Sequence, residues 1–209
     1  MRLDDCPPEI FDNQRVAIAT WEQNFEDFQI FWGAEAPSIH DLCEYCSQQP
    51  GWSCIINGDI VIGPNWPAVE QALNRARAVC AISKRYELGP ERNQATARVV
   101  DNGLDFFAAR PEIWAMAAME VPPHFKLGKI FWDTWMLGFF MHASRGECAD
   151  LTDCRVIFHP KHGNRGQQQI EVPPLKYPPT WPALKIKVPV SAMVREVSDK
   201  PGGGGQLII

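Results

Sequence analysis

Proline is distributed unevenly along this chain, and its distribution limits how far a compact fold can extend. Six of the 18 prolines lie between residues 173 and 189. Proline fixes φ and removes a backbone donor, so this stretch cannot form a packed helix. Four consecutive glycines follow Pro201, a composition typical of a flexible linker. We therefore expect a folded domain over residues 1–172 and an extended, Pro- and Gly-rich C-terminal tail over residues 173–209.

Short apolar runs alternate with amphipathic stretches upstream of residue 173. The runs predict buried strands at 15–20, 52–56, 81–83, 104–109 and 155–158. The amphipathic or apolar stretches predict helices at 38–48, 66–80 and 128–142. Alternation of this kind is typical of the α/β class. We expect a single three-layer α/β/α domain with a mostly parallel, Rossmann-like central sheet.

Composition excludes several classes of protein. The chain is 45% hydrophobic and carries a net charge of -5, which argues against disorder and against a dedicated nucleic-acid surface. No stretch approaches the ~20 apolar residues of a membrane-spanning helix. The acidic N-terminus lacks the apolar run of a signal peptide. We therefore expect a cytoplasmic protein, and the sequence leaves its oligomeric state open.

The seven cysteines are expected to be free thiols in such a compartment. Cys43 and Cys46 nevertheless form a C-x-x-C pair, which could bind zinc if two further ligands joined it. The histidines near residue 160, or Cys148 and Cys154, could supply those ligands. A small zinc-stabilised interaction domain is therefore an alternative interpretation.

Asn57-Gly58-Asp59 directly follows an apolar strand. Ligands of open α/β sheets bind at the carboxyl ends of strands. A carboxylate there can hold a divalent cation that bridges the phosphates of a nucleotide. The alternative is an ordinary Asn-Gly turn within a β-hairpin.

Other polar residues also lie beside predicted strands. Asp105 can serve a site or act as a turn or cap residue. Arg85 can face a diphosphate or simply be solvated. His159 and His162 can contribute a metal ligand and a phosphate contact, or belong to a surface loop.

Asp133 lies between Trp132 and Trp135 in a helix that is otherwise largely apolar. An ionised carboxylate buried without a partner is costly. It therefore needs a charged partner, a helix N-terminus or a functional role. The sequence predicts such a role for Asp133.

Taken in chain order, these motifs resemble those of a group of GT-A-type glycosyltransferases. The resemblance covers about residues 15–165 of the chain. The segments that carry it are short: Thr20-Trp21, Asn57 to Ile60, Ser83 to Tyr86, Gly103 to Phe107, Gly128 to Met136 and His159 to His162.

The resemblance implies an enzyme that moves a sugar from a nucleotide-sugar donor to a hydroxyl acceptor with Mn²⁺ or Mg²⁺. Asp133 would position or deprotonate the acceptor, and Asp59 with His159 or His162 would bind the cation. Trp132 and Trp135 could stack on sugar rings. The implied donor-binding residues are Thr20, Asn57, Asp59, Arg85, Gly103 and Asp105.

The N-terminal part of the chain departs from this family. The segment 21–50 is short for a nucleoside-binding half, and the motif at 57–59 is Asn-Gly-Asp rather than Asp-x-Asp. A GT-A-like module that has lost catalysis and serves binding or scaffolding is therefore a second interpretation.

Overall fold

A computed structural model describes residues 8–25, 27–31, 36–63, 66–129, 131–161, 184–185 and 206–208. Its helices are α1 (Pro8–Asn24), α2 (Ile39–Ser47), α3 (Trp66–Arg75), α4 (Pro111–Glu120) and α5 (Trp132–Ala143). Its strands are β1 (Asp27–Gln29), β2 (Ser53–Ile56), β3 (Val61–Ile62), β4 (Cys80–Leu88), β5 (Arg98–Ala109), β6 (Cys148–Asp150), β7 (Ile157–Pro160), β8 (Leu184–Lys185) and β9 (Gln206–Ile208).

The described strands form one mixed sheet in the order β1-β9-β2-β5-β4-β6-β8. β5 runs antiparallel to both β2 and β4, whereas β9 is parallel to its two neighbours. β4 pairs with β6 over residues 80–82 and with β7 over residues 86–88. Because its two halves have different partners, the sheet divides along β4 and curls into a half-barrel.

The expectation of a three-layer domain around a mostly parallel, Rossmann-like sheet is therefore wrong. The physical reason lies in the connection between β4 and β5. Residues 89–97 join these two strands without a helix. A short non-helical connection returns the chain alongside itself, so the two longest strands pair antiparallel instead of through a helical crossover.

Residues 15–20, which the sequence predicted as a strand, lie inside α1. The buried residues of this helix are Asn13, Ala17 and Trp21, which are four residues apart and so share one helical face. The Nε1 of Trp21 donates a hydrogen bond to the carbonyl oxygen of Ile60 at 2.8 Å. A short apolar run does not distinguish a helix from a strand, and here packing of α1 onto the sheet decides in favour of the helix.

Hydrophobic clusters cover both faces of the sheet. Phe106 and Ala108 of β5 belong to the cluster that α1 and α3 cover. Phe107 and Ala109 belong to the cluster that α2, α4 and α5 cover. This division follows from the alternation of side chains along a strand.

The predicted helices at 38–48 and 128–142 are confirmed as α2 and α5, although α5 begins at Trp132 and ends at Ala143. The helix predicted over 66–80 ends earlier, at Arg75, and Cys80 already begins β4. No helix in the described parts of the chain is both long and apolar enough to cross a lipid bilayer. From the predicted C-terminal tail, β8 and β9 pair with the sheet.

Candidate functional site

A tight turn at the end of β2 carries two of the predicted site residues. The backbone N–H of Ile60 donates to the carbonyl oxygen of Asn57 at 3.1 Å, which closes the turn. β2 pairs with β5 and β9 while β3 pairs with β7, so the described strands that flank the turn do not pair with each other. The hairpin alternative is therefore wrong. The turn instead directs Asn57 and Asp59 to different partners.

Asp105 is a carboxylate near this turn that is bonded to two side chains. Its Oδ1 accepts a hydrogen bond from Nδ2 of Asn57 and its Oδ2 accepts one from Nη1 of Arg85, both at 2.6 Å. The Asp105 side chain is 10% exposed. A buried carboxylate loses its hydration, and its hydrogen-bond and ion-pair partners compensate for that loss. The three side chains come from the end of β2, from β4 and from β5. Their hydrogen bonds therefore connect three neighbouring strands at one point.

A bulge in β5 sets the position of Asp105. Ser83 is the register partner of Phe106, and Lys84 is the partner of Leu104, so Asp105 is an extra residue between two paired positions. A bulge bends its strand and redirects the side chain, and bulges are frequent next to active sites.

Asp133 lies half-buried in the first turn of α5. Its Oδ1 accepts a hydrogen bond from the backbone N–H of Thr134 at 2.8 Å. Burial raises the pKa of the Asp133 carboxyl above its ordinary value; the bond from Thr134 opposes this rise, and the negative charge of Asp105 adds to it. The two carboxyl groups therefore interact electrostatically.

Asp59 and His159 form a second pair. The Nε2 of His159 lies 3.3 Å from Oδ2 of Asp59, and the side chains are 10% and 17% exposed respectively. His159 is in β7, opposite Glu87 of β4. The 57–59 turn thus contacts β5 through Asn57 and β7 through Asp59. We call the side chains of this region the polar cluster: Asn57, Asp59, Arg85, Asp105, Asp133 and His159.

Three predicted residues are placed elsewhere or lie outside the described residues. The Oγ1 of Thr20 accepts a hydrogen bond from the backbone N–H of Ile62 at 3.0 Å and donates one to the carbonyl oxygen of Ala17. Thr20 therefore links α1 to β3 through this hydrogen bond. Gly103 lies within β5, but the structure does not describe its environment. His162 lies outside the described residues.

Trp132 and Trp135 lie in the hydrophobic core. They are only 3% and 2% exposed. Trp132 packs edge-on against Phe107 with ring centres 5.2 Å apart, and Trp135 stacks on Phe139 at 5.1 Å. Both rings are buried among core neighbours, which does not fit the expected stacking on sugar rings.

The expected Mn²⁺ or Mg²⁺ site at Asp59 stays a prediction for the described residues. Among them, only His40, Asp41 and Glu44 on α2 bring three His, Cys, Asp or Glu ligand atoms within 4.8 Å of one another. Asp59 and His159 thus provide two ligands, and each faces the other directly. Mg²⁺ at a nucleotide is usually bound through one or two carboxylates together with substrate phosphates and water.

The zinc alternative also lacks support from the described residues. Cys43 and Cys46 are buried, free thiols of α2. Neither cysteine belongs to a group of three potential ligands in the part of the chain that is described.

Sequence reasoning did not reveal that Arg85 neutralises Asp105 within the protein. The two residues are far apart in sequence, and a single sequence carries no pattern for the bulge that brings them together. It also omitted Thr134, whose hydroxyl lies 3.4 Å from Oδ1 of Asp133. The Asp-Thr pair near a helix start was the available signal, since such residues often bond backbone groups there.

Comparison of the chain with protein-family models, with curated proteins and with solved structures finds no match.

Proposed function

We propose that this chain is a glycosyl-transferring enzyme in which Asp133 takes the proton of an acceptor hydroxyl. The observation that carries the proposal is the contrast between two interacting carboxyl groups. Asp105 is bonded to Arg85 and Asn57, whereas Asp133 is half-buried with a raised pKa. Carboxyl groups in such different surroundings can take different roles in acid–base chemistry.

Asp133 is suited to the role of general base. A raised pKa makes its ionised form a stronger base than an ordinary carboxylate, and general-base assistance contributes roughly 10²–10⁴-fold to a rate. Asp105 is held in place by its two donors. Its remaining negative character can stabilise the positive charge that develops on a sugar ring in the transition state.

The substrate class in this proposal comes from the order of the motifs. A nucleotide-sugar donor and a hydroxyl acceptor are the substrates of the enzymes that the chain resembles. No step of the proposal is assigned to a metal ion. A cytoplasmic location belongs to the proposal as well, and the six described cysteines, which are free and buried, accord with a reducing compartment.

A binding or scaffold module is the second candidate function, and one observation favours it. Both oxygens of Asp105 already have donors within the protein. Such a group can have a purely structural role, in which it joins β2, β4 and β5. A fully bonded buried ion pair can specify a fold without any ligand.

The deciding experiment measures nucleoside diphosphate released from a panel of nucleotide sugars, with and without a mixture of hydroxyl acceptors. The full-length protein should release it in an acceptor-dependent manner. Asp133→Asn should retain the fold, by circular dichroism, and lose at least ~10²-fold in rate. Asp41→Asn is the matched control, because Asp41 is 73% exposed on α2.

Two results would count against the proposal. One is the absence of release, and of any thermal stabilisation, with every donor tested. The other is activity in Asp133→Asn equal to that of the Asp41→Asn control. The first result favours the binding or scaffold module, and the second leaves an enzyme with a different base.

A further inference from the structure

The C-terminal strand β9 lies between two strands from the N-terminal part of the chain. β9 (206–208) pairs in parallel with β1 over 27–29 and with β2 over 53–55. Among the described strands, β1 has no partner other than β9. The attachment of β1 to the sheet therefore depends on a segment that comes almost last in the sequence.

β2 needs a partner on the side that β9 occupies. All four residues of β2 are 0% exposed, and its other side is paired with β5. Buried backbone donors and acceptors require hydrogen-bond partners. An extended segment in this position satisfies them, whatever its side chains are.

The chain's own C-terminus can reach this position. β8 ends at Lys185, five strand positions away in the sheet order, which corresponds to roughly 24 Å at about 4.8 Å per strand. Residues 186–205 connect the two strands and can span roughly 65 Å when fully extended. A second molecule is not needed to supply the strand.

We propose that the space between β1 and β2, which we call the strand slot, is a binding site for an extended peptide. Its occupant in the isolated protein is the chain's own segment Gln206–Ile208, which is held exchangeably. Strand addition recognises a peptide through main-chain hydrogen bonds. A strand of only three residues makes few of them, so the covalent tether supplies much of the occupancy by raising the local concentration to the order of mM. This proposal does not depend on the proposed enzymatic function.

Disulfide trapping in the full-length chain tests the occupant. Position 207 is the register partner of the native Cys54, and paired positions of neighbouring strands lie about 4.8 Å apart, within the range that a disulfide spans. Leu207→Cys, refolded in a glutathione buffer whose disulfide form is the oxidant, should give a monomer cross-linked between positions 54 and 207. Peptide mass mapping identifies the bond.

Gln206→Cys and Ile208→Cys are the matched controls, because successive positions of a strand alternate between faces. They should cross-link to Cys54 at least about tenfold less. Equal yields at the three positions, or no cross-link at position 207, would overturn the proposed register. A covalent dimer would show that the segment enters a second copy, and would overturn the assignment to the same chain.

Competition tests whether the strand is exchangeable. The free peptide Gly-Gly-Gly-Gly-Gln-Leu-Ile-Ile, which reproduces residues 202–209, should at least halve the cross-link yield of Leu207→Cys at about 10 mM, a concentration above that of the tethered segment. A peptide with proline in place of leucine lacks a donor needed in a strand paired on both sides. It should leave the yield unchanged. Equal yields with both peptides and without peptide would overturn the proposal of an exchangeable strand.

Discussion

Arg85 and Asp105 form an ion pair across the bulge between β4 and β5, with Nη1 of the arginine 2.6 Å from Oδ2 of the aspartate. Asp105 is almost fully buried and Arg85 is only partly so. The arginine therefore balances the charge of the buried carboxylate while its own charge keeps some contact with water. Removal of Arg85 leaves a buried carboxylate without its charged partner, whereas removal of Asp105 leaves a guanidinium that is still partly exposed to water.

Replacement of Arg85 by methionine should lower the free energy of unfolding by about 1–3 kcal/mol, because it leaves a buried acceptor without its charged donor. Methionine keeps much of the apolar stem, so the loss reports the missing guanidinium rather than a cavity. Urea unfolding at pH 7 measures the change.

Two variants test this interpretation of Arg85. Asp105→Asn combined with Arg85→Met removes the unpaired charge and should recover part of the loss, as expected for residues in contact. Arg98→Met, at an exposed position of β5, should stay within about 0.5 kcal/mol of wild type. An equal effect of Arg85→Met and Arg98→Met would show that the ion pair contributes little.

Asp133→Asn should increase stability at neutral pH. Burial raises the pKa of Asp133 from its ordinary value of 3.8, so the folded chain holds this proton more tightly than the unfolded chain. The contribution of Asp133 to the free energy of unfolding therefore falls as the pH rises from 3.8 through the raised pKa. Asparagine does not ionise, so the variant does not lose stability as the pH rises through the pKa of Asp133. Its advantage over wild type should be present at pH 7 and disappear as the pH approaches 3.8.

Thermal unfolding across this pH range, with Asp41→Asn in parallel, measures the difference. The exposed Asp41 is the control for the loss of one negative charge. A lower stability of Asp133→Asn than of wild type at pH 7 would contradict this prediction. It would mean that the ionised carboxylate stabilises the fold.

The amino-acid sequence alone is sufficient to group several of the site residues. Asn57 and Asp105 are candidates because each borders an apolar run, and their side chains do meet, at 2.6 Å. Asn57 follows the end of β2, whereas Arg85 and Asp105 lie within β4 and β5, at the bulge. The rule that polar groups gather at strand ends therefore accounts for Asn57 but not for Arg85 or Asp105.

The topology could not be obtained in the same way. Pairing in a sheet depends on contacts between distant residues, and the composition of β2 does not indicate whether its neighbour is antiparallel β5 or parallel β9. The predicted parallel sheet relied on the alternation of helices and strands. That pattern was disturbed by α1, whose residues 15–20 are equally suited to a strand, and by the helix-free connection between β4 and β5.

Trp135→Ala should lower the free energy of unfolding by about 3–5 kcal/mol, since it removes a large buried ring and leaves a cavity. The Trp135 ring stacks on Phe139 and is 2% exposed. Met119→Ala is the control on a neighbouring helix, because Met119 is 79% exposed and should change stability by about 0.5 kcal/mol or less. A stable Trp135→Ala variant with weakened sugar binding would restore the stacking role that the sequence suggested.

Mn²⁺ alone, without a donor diphosphate, should not bind measurably at Asp59, because such cations are usually bound through carboxylates together with substrate phosphates. The carboxylate of Asp59 and the imidazole of His159 face each other at 3.3 Å, and the described residues add no third ligand of the His, Cys, Asp or Glu type. Isothermal titration of the full-length protein with Mn²⁺ should give the same result for wild type and Asp59→Ala. The surface residues His40, Asp41 and Glu44 can produce weak background binding, so His40→Ala serves as the control. Binding that disappears in Asp59→Ala and persists in His40→Ala would contradict this conclusion, and would require ligands from outside the described residues, with His162 the first to test.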